Sequence, residues 1–194
     1  MGLPQLKRTD AVLIVDVQND FCPGGALPVA EGDHVVPVLN RWIEAAQQVG
    51  AWIIASRDWH PSNHLSFREH GGTWPPHCVQ NTRGAKFHPA LKLPENVLIV
   101  SKGTDADRDD YSDFEMTGLA RELRSNCIRR LWVGGLAQDV CVHATVLDGL
   151  KAGFEVHLIK DATRPLNATP GAGELAVQEM QAAGCIIEEG GEHA

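Results

Sequence analysis

Four ionisable side chains, Asp16, Asp58, Lys102 and Asp161, stand at or near the ends of short apolar runs, and a fifth run ends in the Gly134–Gly135 turn. Cys141 follows that turn in "GGLAQDVCVHAT". Read as the first turn of a helix beginning near Asp139, this stretch puts the thiol beside unpaired backbone N–H groups and the positive end of the helix dipole. Such a setting lowers a thiol pKa and offers donors to an oxyanion. A thiolate needs a base to take its proton and a cation to hold the charge, and Asp16 and Lys102 can serve in these roles. The chemistry would be attack by sulfur on a carbonyl carbon. The competing reading makes Cys141 a packing residue, as free cysteines commonly are. His143 lies two residues further along the same helix and so faces elsewhere, which suits a surface or packing role.

A second constellation lies in "RDWHPSNHLSF" and "GGTWPPHCVQ". Asp58 and His60 are two apart in an extended segment, so both can face one point, and His77 comes later in the same excursion. One carboxylate and two imidazoles, with further positions open to water, suit zinc, manganese or iron. His64 reads as a further ligand, or as a residue that orients one through its second nitrogen. His70 and His88 read as surface residues. Phe21, Trp74 and Tyr111 each fit a core, but they share a rim if Asp16, His77 and Lys102 converge, where they could stack a flat ring.

These side chains need elements to hold them. The runs 11–17, 51–57, 96–102, 130–135 and 155–161 are rich in Val, Ile and Leu without polar alternation, as parallel strands covered on both faces should be. Residues 185–189 add a sixth, edge strand. Helices are expected near 33–49, 114–126, 139–152 and 171–183, whereas 58–95 holds no long helix. The alternation predicts a doubly wound, mostly parallel six-stranded α/β sheet with helices on both faces, built as one domain over 1–194. Ligands of such sheets bind outside the carboxyl ends of the strands, where the candidates above fall.

Composition sets the remaining limits. With 43% hydrophobic and 22% charged residues the chain suits a globular domain, and its formal net charge of −8 argues against a nucleic-acid surface. No apolar run approaches the roughly 20 residues of a membrane span. "MGLPQLKRTD" lacks a secretory apolar stretch, and Leu6 breaks the myristoylation pattern. The 5 cysteines form no CxxC pair, so reduced thiols and a cytoplasmic location are expected.

Taken in chain order, "DVQNDFCPGGALPV", "DWHPSNHLSF", "WPPHCVQNTRGAKFHPAL", the "KG…YSDF" segment and "GLAQDVCV" resemble the nicotinamidases, a family of isochorismatase-like cysteine hydrolases. The resemblance runs from about Ala11 to about Thr163. It implies the parallel-sheet fold, hydrolysis of nicotinamide to nicotinate and ammonia, and in many members of pyrazinamide as well. It implies a triad of Asp16, Lys102 and Cys141, and metal ligands Asp58, His60 and His77. His64 matches a position that ligates in only some members. Phe21, Trp74 and Tyr111 match pocket aromatics, and the backbone N–H groups of Ala137 and Cys141 match an oxyanion hole. A cis peptide joining Ala137 to Gln138 is also implied. Two positions depart from the usual form: Gln138 stands where threonine is typical, and Val140 where tyrosine or histidine is common.

Rival readings stay open on the sequence alone. One is another small-amide or carbamoyl hydrolase of the same superfamily, and another is a metal-dependent hydrolase with Cys141 as packing. The last is a non-catalytic module that binds nicotinamide or metal. A homo-oligomer is equally compatible with the sequence.

Overall fold

The computed structural model describes residues 6–189, and the first five residues of "MGLPQLKRTD" lie outside them. Six strands form one sheet: β1 (Asp10–Val15), β2 (Trp52–Asp58), β3 (Leu98–Lys102), β4 (Arg130–Gly135), β5 (Glu155–Thr163) and β6 (Ile186–Glu188). Their order is β3-β2-β1-β4-β5-β6, and every pairing is parallel. The expected doubly wound sheet is therefore present, wholly parallel, with β6 on its edge.

Parallel strands bury both faces, and β1 (DAVLIV) is buried at all six positions. Val12 and Ile14 pack on one side with Val35, Leu39, Trp42, Ile43 and Ala46 of α1 (Val35–Val49). Ala11, Leu13 and Val15 face the other side. There they meet Leu119 and Leu123 of α2 (Leu119–Ser125), Val146 of α3 (His143–Lys151), and Ala176 and Met180 of α4 (Ala172–Ala182). Burying each large aliphatic side chain stabilises the fold by about 1.5–3 kcal/mol relative to leaving it exposed.

One helix is shorter than its sequence suggests. The stretch from 114 was expected to be helical, but α2 begins only at Leu119. Met116 and Gly118 have φ of +53° and +75°, and such left-handed residues cannot continue a right-handed helix. The excursion between β2 and β3 contains no helix longer than the 3-10 turn Arg68–His70. Among the described residues no helix is long and apolar enough to cross a membrane.

The strand order sets the place for a site. The chain leaves β1 toward β2 on one side and later returns to place β4 on the other. Outside the carboxyl ends of β1 and β4 the connections diverge, which opens a crevice.

Candidate active site

Asp16 follows β1 with φ +47°, a left-handed conformation that aspartate tolerates better than most residues and that recurs at functional sites. Its carboxylate is anchored from β2: Ser56 Oγ donates to Asp16 Oδ1 at 2.8 Å and accepts from the Asp16 N–H at 3.3 Å. Lys102, the last residue of β3, brings its Nζ to 2.6 Å from Asp16 Oδ2 and 3.3 Å from Cys141 Sγ. The same ammonium also pairs with Asp58 Oδ1. Asp16, Lys102 and Cys141, far apart in sequence, thus meet below the solvent surface.

Burial governs their protonation. Loss of water alone would lower the Lys102 pKa, but the Asp16 and Asp58 carboxylates raise it well above its ordinary value and keep the ammonium charged. Burial pushes the Cys141 thiol well above its ordinary value, beyond what Lys102 offsets, with the Asp16 and Asp58 charges adding to the rise. This corrects the expectation that a helix start lowers the thiol. Cys141 sits in a π-helical turn, Gln138–Val142, ahead of α3 and is only 5% exposed, so lost hydration outweighs the dipole. Burial also raises Asp16, which makes it a better proton acceptor. Thiol and carboxyl are raised together, so a proton can pass between them.

Ala137 and Cys141 line the same pocket, and among the described residues no backbone carbonyl accepts from the Ala137 N–H. The cis peptide joins Leu136 to Ala137, one bond before the expected Ala137–Gln138 link. No proline marks it, so residue types could not localise it.

Asp58, His60 and His77 form a buried cluster whose ligand atoms lie within 4.8 Å of one another. His60 Nδ1 bonds the Gly103 carbonyl at 2.9 Å and His77 Nδ1 bonds the Pro75 carbonyl at 2.8 Å. Each Nδ1 carries the hydrogen toward a carbonyl, so in the neutral rings each Nε2 presents a lone pair beside Asp58 Oδ2, at 3.4 Å and 3.8 Å. That donor set fits a divalent metal. Burial alone would lower the His60 pKa, but Asp58 raises it. Burial lowers the His77 pKa despite Asp58, which favours the neutral ligand form. Burial would raise Asp58, but Lys102, His60 and His77 together hold it below the usual carboxylate range. Gly103 has φ +59°, and a Cβ there would sit 2.3 Å from His60 Cε1, so only glycine lets the backbone approach this ring.

His64 does not join the cluster. Its Nδ1 contacts Ser66 Oγ at 2.7 Å and its Nε2 contacts the Arg108 carbonyl at 2.9 Å, so both nitrogens are committed. Its ring packs on that of His60 with centroids 4.2 Å apart.

Over both groups opens a pocket whose walls include Phe21, Trp74, Tyr111, Val140 and Leu166. Trp74 Nε1 donates to the Tyr111 hydroxyl at 3.1 Å, and burial pushes the Tyr111 pKa up to about 12. The three aromatics expected at the rim are thus brought together. Asp161 stays within β5 and does not reach the pocket, and His143 turns away to pair with Glu179 of α4 at 2.9 Å. Gln138 also points elsewhere, its Nε2 donating to the Gly173 carbonyl at 2.8 Å, so of the two departing positions only Val140 touches the pocket.

Residues 10–189 match the isochorismatase domain family. The chain is a member of that family. It is 43% identical to the nicotinamidase of Escherichia coli (strain K12) over 91% of this chain and 93% of that one. Among solved structures it resembles the pyrazinamidase of Pyrococcus horikoshii in complex with zinc, with TM-score 0.90, 49% identity, and 94% and 99% of the two chains covered. It also resembles PnC1 from L. infantum in complex with nicotinate, with TM-score 0.88, 37% identity and 96% coverage of both chains.

In this isochorismatase-family chain, three positioning residues escaped the sequence reading. Buried Gln18 clamps the backbone of Asp58, its Oε1 accepting from the Asp58 N–H at 2.8 Å and its Nε2 donating to the Asp58 carbonyl at 2.8 Å. Asp20 accepts from the Cys78 N–H at 2.7 Å, fixing the loop that carries His77. Asp139 accepts from the Leu166 and Asn167 N–H groups at 2.7 Å and 2.8 Å. Gln18 and Asp20 lie in "DVQNDF", where their signal was an amide and an acid directly after a buried strand.

Proposed function

We propose that this protein is a nicotinamidase: it hydrolyses nicotinamide to nicotinate and ammonia, and pyrazinamide by the same route. The carrying observation is the meeting of a thiol, an ammonium and a carboxylate, 3.3 Å and 2.6 Å apart, with Cys141 lining a pocket also walled by Phe21, Trp74 and Tyr111. The names of its family relatives support the same substrate class.

In this reading Asp16 takes the Cys141 proton, and Lys102 holds the resulting thiolate beside the neutral acid. Sulfur attacks the amide carbon, and the Ala137 and Cys141 N–H groups receive the oxyanion. Losing one such donor typically costs about 10²–10³ in rate. Asp16 then returns its proton to the departing ammonia, leaving a thioester on Cys141. Asp16, again a carboxylate, takes a proton from the water that attacks the thioester, and collapse releases nicotinate and restores the thiol. Phe21, Trp74 and Tyr111 fix the plane of the ring.

Asp58, His60 and His77 are the residues we assign to a divalent metal, with zinc as the ion because the Pyrococcus horikoshii pyrazinamidase is a zinc complex. When bound, the metal supplies a Lewis-acid contact for the pyridine nitrogen. We read residues 10–189 as one hydrolase domain and place it in the cytoplasm, a location supported by five cysteines that form no disulfide.

Purified protein incubated with nicotinamide should release ammonia and nicotinate in equal amounts, and a chelator should suppress turnover until zinc is restored. Cys141→Ala should lower kcat by at least about 10⁴-fold. Near-normal turnover by Cys141→Ala would remove the covalent route, and no product from the metal-loaded wild type would remove the activity.

A further inference from the structure

Gln18 is fully buried two residues beyond Asp16, and the reaction above gives its side chain no task. β1 and β2 pair as far as Ile14 and Ala55, whereas β2 and β3 stay paired to Asp58 and Lys102. Asp58 therefore ends a strand that has run past its neighbour on the β1 side. A buried backbone N–H or C=O needs a partner, so something must replace β1 there. The Gln18 amide does so. Its Oε1 accepts from the Asp58 N–H at 2.8 Å, and its Nε2 donates to the Asp58 carbonyl at 2.8 Å and to the Ala85 carbonyl at 2.9 Å. A carbonyl takes only a donor and an N–H only an acceptor, so the amide has one orientation, with both Nε2 hydrogens committed.

Gln18 is itself held in place: its N–H donates to the Asp16 carbonyl at 2.8 Å, and its carbonyl accepts from the Phe21 N–H at 3.1 Å. What it holds is a carboxylate with two claims on it. Asp58 Oδ1 pairs with the Lys102 ammonium, while Oδ2 lies 3.4 Å and 3.8 Å from the Nε2 atoms of His60 and His77. The two imidazoles are fixed by carbonyls of their own, those of Gly103 and Pro75. Asp58 has Gln18 for its backbone and Lys102 for its side chain. Without the amide the strand end is free to follow the ammonium and draw Oδ2 away from the imidazoles.

We infer that Gln18 is the positioning residue that sets the divalent-metal affinity of this protein. Standing in for a strand, it fixes Asp58 so that one carboxylate oxygen serves Lys102 and the other stays with His60 and His77. This rests on the assignment of Asp58, His60 and His77 to a metal.

The test is a zinc titration of the purified protein against a chromophoric chelator, without substrate. Gln18→Met keeps the length and the packing but none of the three hydrogen bonds, and should bind zinc about 10–100-fold more weakly than wild type. Gln18→Glu keeps an oxygen for the Asp58 N–H but lacks the second amide hydrogen, so its loss should be smaller, about 3–10-fold. Asn40→Ala is the control, because Asn40 of α1 is a second amide clamp, on the Ala90 carbonyl at 2.9 Å and the Lys92 N–H at 2.8 Å. It should bind zinc as wild type does. With excess zinc, Gln18→Met should recover a nicotinamide kcat within about three-fold of wild type, because the bound ion then holds Asp58; general loosening would not give that split. Zinc affinity unchanged in Gln18→Met, a matching loss in Asn40→Ala, or a kcat that excess zinc does not restore would each overturn the inference. Should Gln18→Met fail to fold, Gln18→Glu decides alone, and an unchanged zinc affinity there would overturn it equally. The substrate reading fails separately: a zinc-binding wild type that leaves nicotinamide intact would remove that reading and leave the Gln18 comparison standing.

Discussion

The two ends of the sheet use the same kinds of residue in opposite ways. At the amino ends of the strands Asp10 accepts from Arg130 Nε and Nη2 at 3.0 Å and 2.7 Å, from Trp132 Nε1 at 3.3 Å and from the Lys7 N–H at 2.9 Å. His157 beside it bridges Glu155 at 2.8 Å and Glu188 at 2.7 Å. Each charge there is matched, and Arg130, Glu155 and Glu188 also reach solvent. At the carboxyl ends Asp16 and Asp58 pair with Lys102, Asp113 adds a third buried carboxyl that acts on the same ammonium, and among the described residues its oxygens have no hydrogen-bond partner. The satisfied end holds the sheet together. The under-satisfied end has one ammonium already shared by two carboxylates, so a third negative charge there has no cation of its own.

The comparison breaks most sharply at Lys102. Lys102→Met leaves Asp16 and Asp58 buried without their shared cation, so stability should fall by about 3–5 kcal/mol in urea titrations, and turnover should vanish. Next comes Gly103→Ala, which drives a methyl into the His60 ring and should weaken metal binding by about 10–100-fold in a chelator competition. Arg130→Met, at the satisfied end, should cost only about 1–2 kcal/mol, because Trp132 and Lys7 still donate to Asp10 and the guanidinium is partly solvated. An equal loss at Lys102 and Arg130 would erase the distinction between the ends.

The smallest effect concerns Asp113 and pH. Its folded pKa is raised above its unfolded value, so folding must take up a proton that the unfolded chain has released. Asp113 therefore costs stability increasingly as pH rises above the ordinary carboxyl value toward the raised one, and costs nothing below it. Asp113→Asn should raise Tm by about 2–4 °C at pH 8 and by less at pH 5. A gain that is the same at both pH values would mean the carboxyl is not held protonated.

Much of this organisation was legible in the residues. Unbroken Val, Ile and Leu runs mark strands buried on both faces, so the sheet and the ends carrying Asp16, Asp58 and Lys102 could be found. Cys141 was legible from the glycine turn before it, but its proton affinity was not, since burial depends on what the fold lays over it. His64 shares its residue type and neighbourhood with the ligands, yet the Arg108 carbonyl claims its Nε2 from 44 residues away. Nothing local announces such a claim. Gln18 and Asp113 escaped for a related reason: an amide clamp and an unpartnered acid carry no motif, only a position among neighbours that arrive from other strands.

The grip of Asp139 on Leu166 and Asn167 has a consequence for how this enzyme could diversify. The turn that carries Cys141 also holds the pocket wall beyond β5, so those two surfaces form one jaw. A change there that widens the pocket therefore bears on the turn that places the Cys141 sulfur. The opposing jaw, Trp74 and Tyr111, is joined by a single side-chain hydrogen bond and carries none of the reacting groups. New ring sizes are therefore most cheaply admitted from that side, where selectivity can drift while the reaction geometry stays still.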